Sequence, residues 1–153
     1  MKTTPANRLA TLGAAALALL APAFASAADL VVRVEGVRSA EGDIRVAVHR
    51  RADGVDFPDS AGVVKAAMRP AAKAADLVFA GLAPGEYAIA AFHDEDRDGD
   101  LNTNLLGMPT EGYGFSNEAR GTFGPPGFDA AAFTIKADED RPAVTVRLGY
   151  PES

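Results

Sequence analysis

The chain has 153 residues and no cysteine, and its 21 acidic and 15 basic side chains give a net charge of −6. An acidic balance argues against nucleic acid or an anionic membrane as a partner, because both bind basic surfaces. Without cysteine the chain has neither disulfides nor a lipid-modified thiol, so a hydrophobic core or a bound ion must stabilise the fold.

The first 27 residues have the pattern of an export signal. Lys2 and Arg8 flank the start of an apolar run over residues 9–21, and the segment ASA at residues 25–27 is a typical cleavage motif. The run is shorter than the roughly 20 residues of a membrane anchor. We therefore predict cleavage after residue 27, no membrane insertion afterwards, and one periplasmic or secreted domain over residues 28–153. Removing Lys2 and Arg8 lowers the basic count from 15 to 13, so this domain has a net charge of −8.

Short alternating segments in the mature chain are typical of β-strands. Residues 29–37 and 42–50 alternate apolar and polar side chains, which predicts two strands joined as a hairpin, with His49 facing solvent. Further strands are predicted at residues 77–79, 86–93, 132–136 and 143–148. Residues 86–93 are apolar on both faces, as expected for a central strand.

The segment between the second and third of these strands is ambiguous. Residues 62–68 fit either a strand or an irregular segment, whereas the alanine-rich stretch 61–75 contains Pro70 and favours a surface loop. Six or seven short strands separated by turns predict an all-β fold, a single antiparallel Greek-key β-sandwich.

A long segment without alternation follows the predicted central strand. Residues 94–129 combine glycines with the rings of Tyr113, Phe115, Phe123 and Phe128. Loops of this length are usually functional, ordered by an ion, or disordered, and aromatic residues argue against disorder. Two interpretations stay open. The rings, with Arg120 between them, form an exposed platform for a sugar, a peptide or a hydrophobic small molecule, or they are buried beneath the loop, which we favour.

The start of this loop has the spacing of a calcium-binding loop. Residues 94–100 contain five acidic side chains and one arginine. Aligned to an EF-hand-type loop, the oxygen ligands at positions 1, 3, 5, 7 and 9 are Asp94, Asp96, Asp98, Asp100 and Asn102, and Gly99 takes the sharp turn at position 6. Position 12 is Leu105 instead of glutamate, so Glu111 is the nearest candidate for a further ligand. We predict a weak Ca²⁺ site, preferred over Mg²⁺; the alternative is a charged turn chosen for its backbone geometry.

Longer motifs carry a family resemblance. The segments FHDEDRDGDLNTN at residues 92–104 and LGMPTEGYGFSN at residues 106–117 resemble signature stretches of DUF2141, a family of exported bacterial proteins of unknown function. The segments LAPGEY at residues 82–87 and FGPP at residues 123–126 follow the same family pattern. The resemblance implies a β-sandwich of the transthyretin or carboxypeptidase-regulatory type and no established activity. Asp96 and Asp98 stand where the family often has asparagine, and Asn102 stands where it commonly has aspartate.

Two classes of function follow from these observations. The first is a calcium-stabilised binding or structural module of the cell envelope, with a small molecule, a glycan or an envelope protein as its partner. The second is a hydrolase-like enzyme in which His93 is a general base oriented by Asp94. We expect no enzyme, because the chain has no phosphate-binding loop, no zinc signature and no nucleophile elbow around Ser116.

Overall fold

The computed structural model describes residues 26–151, so nearly all of the predicted signal lies outside the described residues. The described chain forms eight strands: β1 (Ala28–Glu35), β2 (Asp43–Arg50), β3 (Val63–Pro70), β4 (Ala74–Leu82), β5 (Gly85–Asp94), β6 (Tyr113–Phe115), β7 (Phe133–Ile135) and β8 (Ala143–Arg147). It also contains 3-10 turns at Ser60–Gly62 and Ser116–Glu118 and one short helix, α1 (Phe128–Ala131). No helix within residues 26–151 is long and apolar enough to cross a membrane.

The strands form two sheets, which confirms the all-β sandwich. One sheet has the order β4-β1-β8, and the larger has the order β3-β2-β5-β6, with β7 also paired to β5. The pairs are antiparallel apart from β1 and β8, which are parallel. The predicted hairpin of the first two strands is wrong, because β1 and β2 belong to different sheets. Alternation shows that a segment has one buried face, but it does not show which sheet the segment joins.

The hydrophobic core lies between the two sheets. Its fully buried members include Leu30, Val32 and Val34 from β1, Ile44 and Val48 from β2, and Tyr87 and Ile89 from β5. The prediction that β5 is a central strand is confirmed, since it pairs with β2 on one side and with β6 and β7 on the other. The core therefore fixes β5, whose last residue is Asp94.

A second apolar cluster covers one end of the outer face of the larger sheet. Ala88 of β5 is buried there beneath Phe57, Phe115 and Ala131. His49 also belongs to this end: it is 2% exposed, and its ring lies edge-on to Phe57 at 4.9 Å. The prediction that His49 faces solvent is wrong, because the segment between β2 and β3 folds back over the outer face and covers it.

Two other segments differ from the sequence-based expectation. The stretch 61–75 is not a surface loop, since it contains all of β3 and the first residues of β4. The segment 94–129 is the expected structured excursion, but it also contributes the edge strand β6 and the start of α1. Strands β3 and β6 were difficult to predict from the sequence, because the alanine and lysine residues of β3 and the glycine of β6 give little hydrophobic alternation.

Candidate metal centre

Asp94 occupies the end of β5, on the outer face of the sheet. Alternation along the strand places Asp94 there and its neighbour His93 on the core side. The Asp94 side chain is fully buried, and its Oδ2 accepts hydrogen bonds from Arg45 Nε at 2.5 Å and from the Gly99 N–H at 3.1 Å. Its other oxygen, Oδ1, is buried and has no hydrogen-bond partner among the described residues. Burying a carboxylate oxygen without a hydrogen-bond donor costs free energy, so we expect a ligand at this atom.

Three carboxylates converge at this position. Asp94, Asp96 and Glu111 offer oxygen atoms that all lie within 4.8 Å of one another, and two of these side chains, Asp94 and Glu111, are buried. Glu111 lies at the far end of the acidic loop, the segment that connects β5 to β6. Its Oε1 accepts a hydrogen bond from the Glu95 N–H at 2.7 Å, and its Oε2 accepts one from the Asn102 N–H at 3.0 Å. Glu111 thus ties both sides of the loop to one point.

The loop curves through successive side-chain-to-backbone hydrogen bonds. Asp96 Oδ1 accepts from the Asp98 N–H at 3.1 Å, and Asp98 Oδ1 accepts from the Asp100 N–H at 2.9 Å. Gly99 has a φ of +97°, which agrees with the sharp turn expected at position 6. These turns direct the start of the loop around the Asp94 and Asp96 carboxylates.

The predicted ligands therefore divide into two groups. Asp94, Asp96 and Glu111 come together, whereas the exposed side chains of Asp98 and Asp100 lie outside the cluster. Asn102 borders the cluster, because its Nδ2 donates a hydrogen bond to Asp96 Oδ2 at 2.8 Å. Asp94, Asp96 and Glu111, three of the candidate ligands, lie together in the structure, and the assignment of Asp98 and Asp100 as further ligands stays a prediction.

Neighbouring groups favour the ionised forms of Asp94 and of the adjacent Glu95. Burial acts to raise the pKa of Asp94, but the hydrogen bond and charge of Arg45, together with the hydrogen bond from the Gly99 N–H, hold it below its ordinary value. The hydrogen bond from Arg38 is the main cause of a lowered pKa of Glu95. Arg45 is the only basic group bonded to the cluster carboxylates among the described residues, so three negative charges share one direct cationic partner.

Both ring nitrogens of His93 make structural contacts. It is fully buried, its Nδ1 lies 2.8 Å from Tyr150 Oη, and its Nε2 lies 2.6 Å from the Glu41 carbonyl oxygen. Because His93 and Asp94 point to opposite faces of β5, the carboxylate of Asp94 does not orient the imidazole of His93. The two ring nitrogens instead hold the β1–β2 connection and the C-terminal segment against the end of β5.

The aromatic residues of the long loop do not form one platform. Tyr113 and Phe115 lie in β6, and Phe128 contacts Phe57 with ring centroids 6.0 Å apart. Phe123 is fully exposed, so the expectation that the rings are buried beneath the loop is wrong for this residue. Arg120 is also exposed and lies beside Gly149.

Two residues of the site region were missed from the sequence. Arg45 was not among the predicted site residues, and its contact with Asp94 depends on the β2–β5 register, which pairs Arg45 with Phe92. Ser116 is fully buried; its Oγ accepts from the Ile89 N–H at 2.9 Å and donates to the Ala131 carbonyl at 2.5 Å. A serine at the end of an apolar edge strand gives no sequence signal for this role.

The comparison with known families covers the region just described. A family model described as "Uncharacterized protein conserved in bacteria (DUF2141)" matches residues 32–142. The chain belongs to this family. The matched range of this DUF2141 protein contains β5, the acidic loop, Glu111 and β6. No curated protein and no solved structure matches the chain.

Proposed function

We propose that this DUF2141 protein is an exported β-sandwich module of the cell envelope that binds one Ca²⁺ ion between Asp94, Asp96 and Glu111. The observation that carries the proposal is the buried Oδ1 of Asp94, which has no partner in residues 26–151. Asp94 is also one of the three residues of the carboxylate cluster. The large majority of buried polar side-chain atoms have a hydrogen-bond partner, so a buried and unpaired carboxylate oxygen needs a specific explanation, which a bound cation supplies.

Electrostatics supports a cation at this position. Two carboxylates about 4 Å apart repel each other by about 1 kcal/mol in water and about 4 kcal/mol at the effective dielectric of a protein surface. Arg45 directly offsets one of the three charges through Asp94 Oδ2. A divalent ion offsets the remaining two and supplies the missing partner of Oδ1.

The donor chemistry favours Ca²⁺ over other metals. All candidate donors are oxygens, and two of the three carboxylates are buried. Ca²⁺ accepts six to eight oxygen ligands in flexible geometry, whereas Mg²⁺ demands a nearly ideal octahedron. Extracellular calcium modules bind with dissociation constants of roughly 0.1–1 mM, so a partly exposed site is sufficient outside the cytoplasm.

The proposed role of the ion is to fix the long loop to the sheet. Asp94 ends β5, Asp96 belongs to the loop, and Glu111 lies two residues before the first residue of β6. One ion bound to all three connects the two neighbouring strands at the point where the loop leaves them. The loop then presents its outer surface in a single conformation.

Thermal unfolding of residues 28–153 with EDTA or with Ca²⁺ tests the proposal. A ligand that binds only the native state at 100 times its Kd stabilises by about 2.7 kcal/mol, which raises Tm by several degrees for a domain of this size. We expect this shift with Ca²⁺, a smaller one with Mg²⁺, and none in Asp96→Asn. Asp100→Asn is the matched control, because Asp100 is an exposed acid of the same loop outside the cluster. An equal shift in both variants, or no shift in the wild type, would contradict the proposal.

A further inference from the structure

The outer face of the larger sheet carries an apolar trough that the second hydrophobic cluster leaves open. Its volume is about 580 Å³. Its floor consists of three alanines, since the strand register places Ala66, Ala47 and Ala90 side by side across β3, β2 and β5, with Phe115 of β6 next in the same row. Adjacent strands are about 4.8 Å apart, so a row across four strands is roughly 14 Å long.

Larger side chains border this row. The neighbouring register row contains Met68, Arg45, Phe92 and Tyr113. On the opposite side lie His49 and Pro58, and Leu101 of the acidic loop also lines the trough. The small alanine side chains lie between two rows of larger side chains, so the surface is concave along a strip that runs perpendicular to the strands. It is bounded at one end by Phe115 and begins at β3, an edge strand whose Met68 is 60% exposed.

The size and lining suit a small organic ligand. Ligand pockets usually measure about 300–1,000 Å³ and combine apolar walls with a few polar groups. Arg45 is the only charged residue among the described residues that line the trough. Its Nε donates to Asp94, while its terminal nitrogens make no hydrogen bond within the described part of the chain. In a chain with a net charge of −6, one arginine in an apolar trough is complementary to a hydrophobic anion.

We infer that the trough binds an elongated hydrophobic molecule that carries one acidic group, with its apolar body over the alanine floor and its acidic group at Arg45. The apolar body displaces water from the row of Ala66, Ala47 and Ala90. The acidic group accepts hydrogen bonds from the terminal nitrogens of the guanidinium.

The trough and the proposed cation site share the Arg45–Asp94 ion pair, so this further step rests on the proposed function. A cation bound at Asp94 Oδ1 offsets the charge of that carboxylate and leaves the charge of Arg45 for the ligand. Ca²⁺ should therefore tighten binding of the anion, and by linkage the anion should tighten binding of Ca²⁺ by the same factor.

Two fluorescent probes of the same ring skeleton test the inference. The anionic probe is 1-anilinonaphthalene-8-sulfonate, and the neutral probe is N-phenyl-1-naphthylamine. In EDTA we expect saturable binding of both to residues 28–153, with the anion bound more tightly. Arg45→Gln should remove the preference for the anion while leaving the neutral probe bound. Adding Ca²⁺ should strengthen binding of the anion several-fold more than that of the neutral probe.

Variants of the floor provide the matched comparison. Ala47→Leu and Ala66→Leu each fill the trough, and we expect either to weaken both probes by about tenfold or more. Thr145→Leu introduces the same side chain at an exposed position of β8 on the other sheet and should leave binding unchanged. Near-ultraviolet circular dichroism identifies any variant that has lost native packing. Equal binding by the wild type and both floor variants would overturn the inference. Probe binding that Ca²⁺ does not change would overturn the coupling through Arg45 and Asp94 while retaining the trough, whereas failure of the cation site itself is recognised separately by the absence of a Tm shift with Ca²⁺.

Discussion

Arg45 and Asp94 lie on the adjacent strands β2 and β5, and their ion pair connects the apolar trough to the carboxylate cluster. Arg45 Nε donates to Asp94 Oδ2 at 2.5 Å, and the Asp94 side chain is fully buried. One oxygen of Asp94 thus holds the neighbouring strand, while the other has no partner in the described chain. This division of one carboxylate between a structural contact and an open coordination position is the basis of the proposed calcium site.

Glu111 should stabilise the fold even without an ion. Its two carboxylate oxygens accept from the N–H groups of Glu95 and Asn102. In Glu111→Gln an amide NH₂ replaces one oxygen and cannot accept, so one partly buried N–H loses its partner at a cost of up to about 1–3 kcal/mol. Urea unfolding in EDTA measures this loss. Glu118→Gln is the control at an exposed position and should change the free energy of unfolding little; equal losses in the two variants would refute the role of Glu111.

Gly42 should be intolerant of a side chain because the loop backbone passes over it. Gly42 and Gly54 have nearly equal φ angles of +72° and +71°. A Cβ on Gly42 would lie 2.1 Å from the Asp94 carbonyl oxygen, whereas a Cβ on Gly54 would meet nothing within 4 Å. Both alanine variants incur a backbone cost of about 1–2 kcal/mol. We expect Gly42→Ala to lose about 1–3 kcal/mol more of its free energy of unfolding than Gly54→Ala, which is the usual cost of overpacking.

Chemical denaturation of the two glycine variants isolates the effect of contact with Asp94, since the backbone cost is common to both. A similar loss of stability in Gly42→Ala and Gly54→Ala would show that the loop does not pack on Gly42. A larger loss in Gly42→Ala, accompanied by weaker Ca²⁺ binding, would connect this packing to the carboxylate cluster.

Ser116 should contribute to stability through its two buried hydrogen bonds. Its hydroxyl links the Ile89 N–H of β5 to the Ala131 carbonyl of α1. Ser116→Ala leaves a buried donor and a buried acceptor unpaired, at about 1–3 kcal/mol for each group. Thermal unfolding should show a clear fall in Tm, while Ser60→Ala, at an exposed position, should show almost none. An unchanged Tm in Ser116→Ala would contradict the buried bridge.

His49 should make the fold less stable in mild acid. Burial is the main cause of the lowered pKa of His49, and the nearby Asp59 backbone and charge oppose it only in part. The unfolded chain therefore binds a proton near the ordinary pKa of 6.5 while the folded chain does not. Stability is complete above this pH and decreases below it, by up to about 1.4 kcal/mol per pH unit until the folded pKa is reached.

Denaturant unfolding in EDTA between pH 8 and pH 5 measures this dependence in the wild type and in His49→Gln. The variant cannot titrate in this range, so its stability should depend less on pH than that of the wild type. Parallel curves would show that His49 is not the group responsible.

Much of the fold follows from the sequence because half-buried strands have a period of two. The alternation of residues 29–37 and 42–50 and the two-sided apolar pattern of 86–93 correspond to β1, β2 and the central strand β5. The sequence did not predict which strands pair within each sheet, because the assignment of β1 and β2 to different sheets depends on packing between distant segments. The short edge strands β3 and β6 have too few large apolar residues for periodicity to identify them.

The candidate site was partly predictable for a similar reason. Asp94, Asp96 and Gly99 are related by local spacing, which the sequence displays directly. Glu111 was the nearest downstream acid, and the structure places it in the cluster. Arg45 and the alanine floor of the trough depend on the register between strands that are distant in the chain, which local spacing in the sequence does not display.

A crystal structure of residues 28–153 grown with millimolar Ca²⁺ is the most direct test of the central claim. We expect one ion, identified by its anomalous scattering, at about 2.3–2.6 Å from Asp94 Oδ1 and from oxygens of Asp96 and Glu111. The Arg45–Asp94 Oδ2 contact should persist beside it. A structure in which Asp94 Oδ1 binds no ion at saturating Ca²⁺, or in which Ca²⁺ binds only Asp98 and Asp100 at the loop tip, would contradict the account.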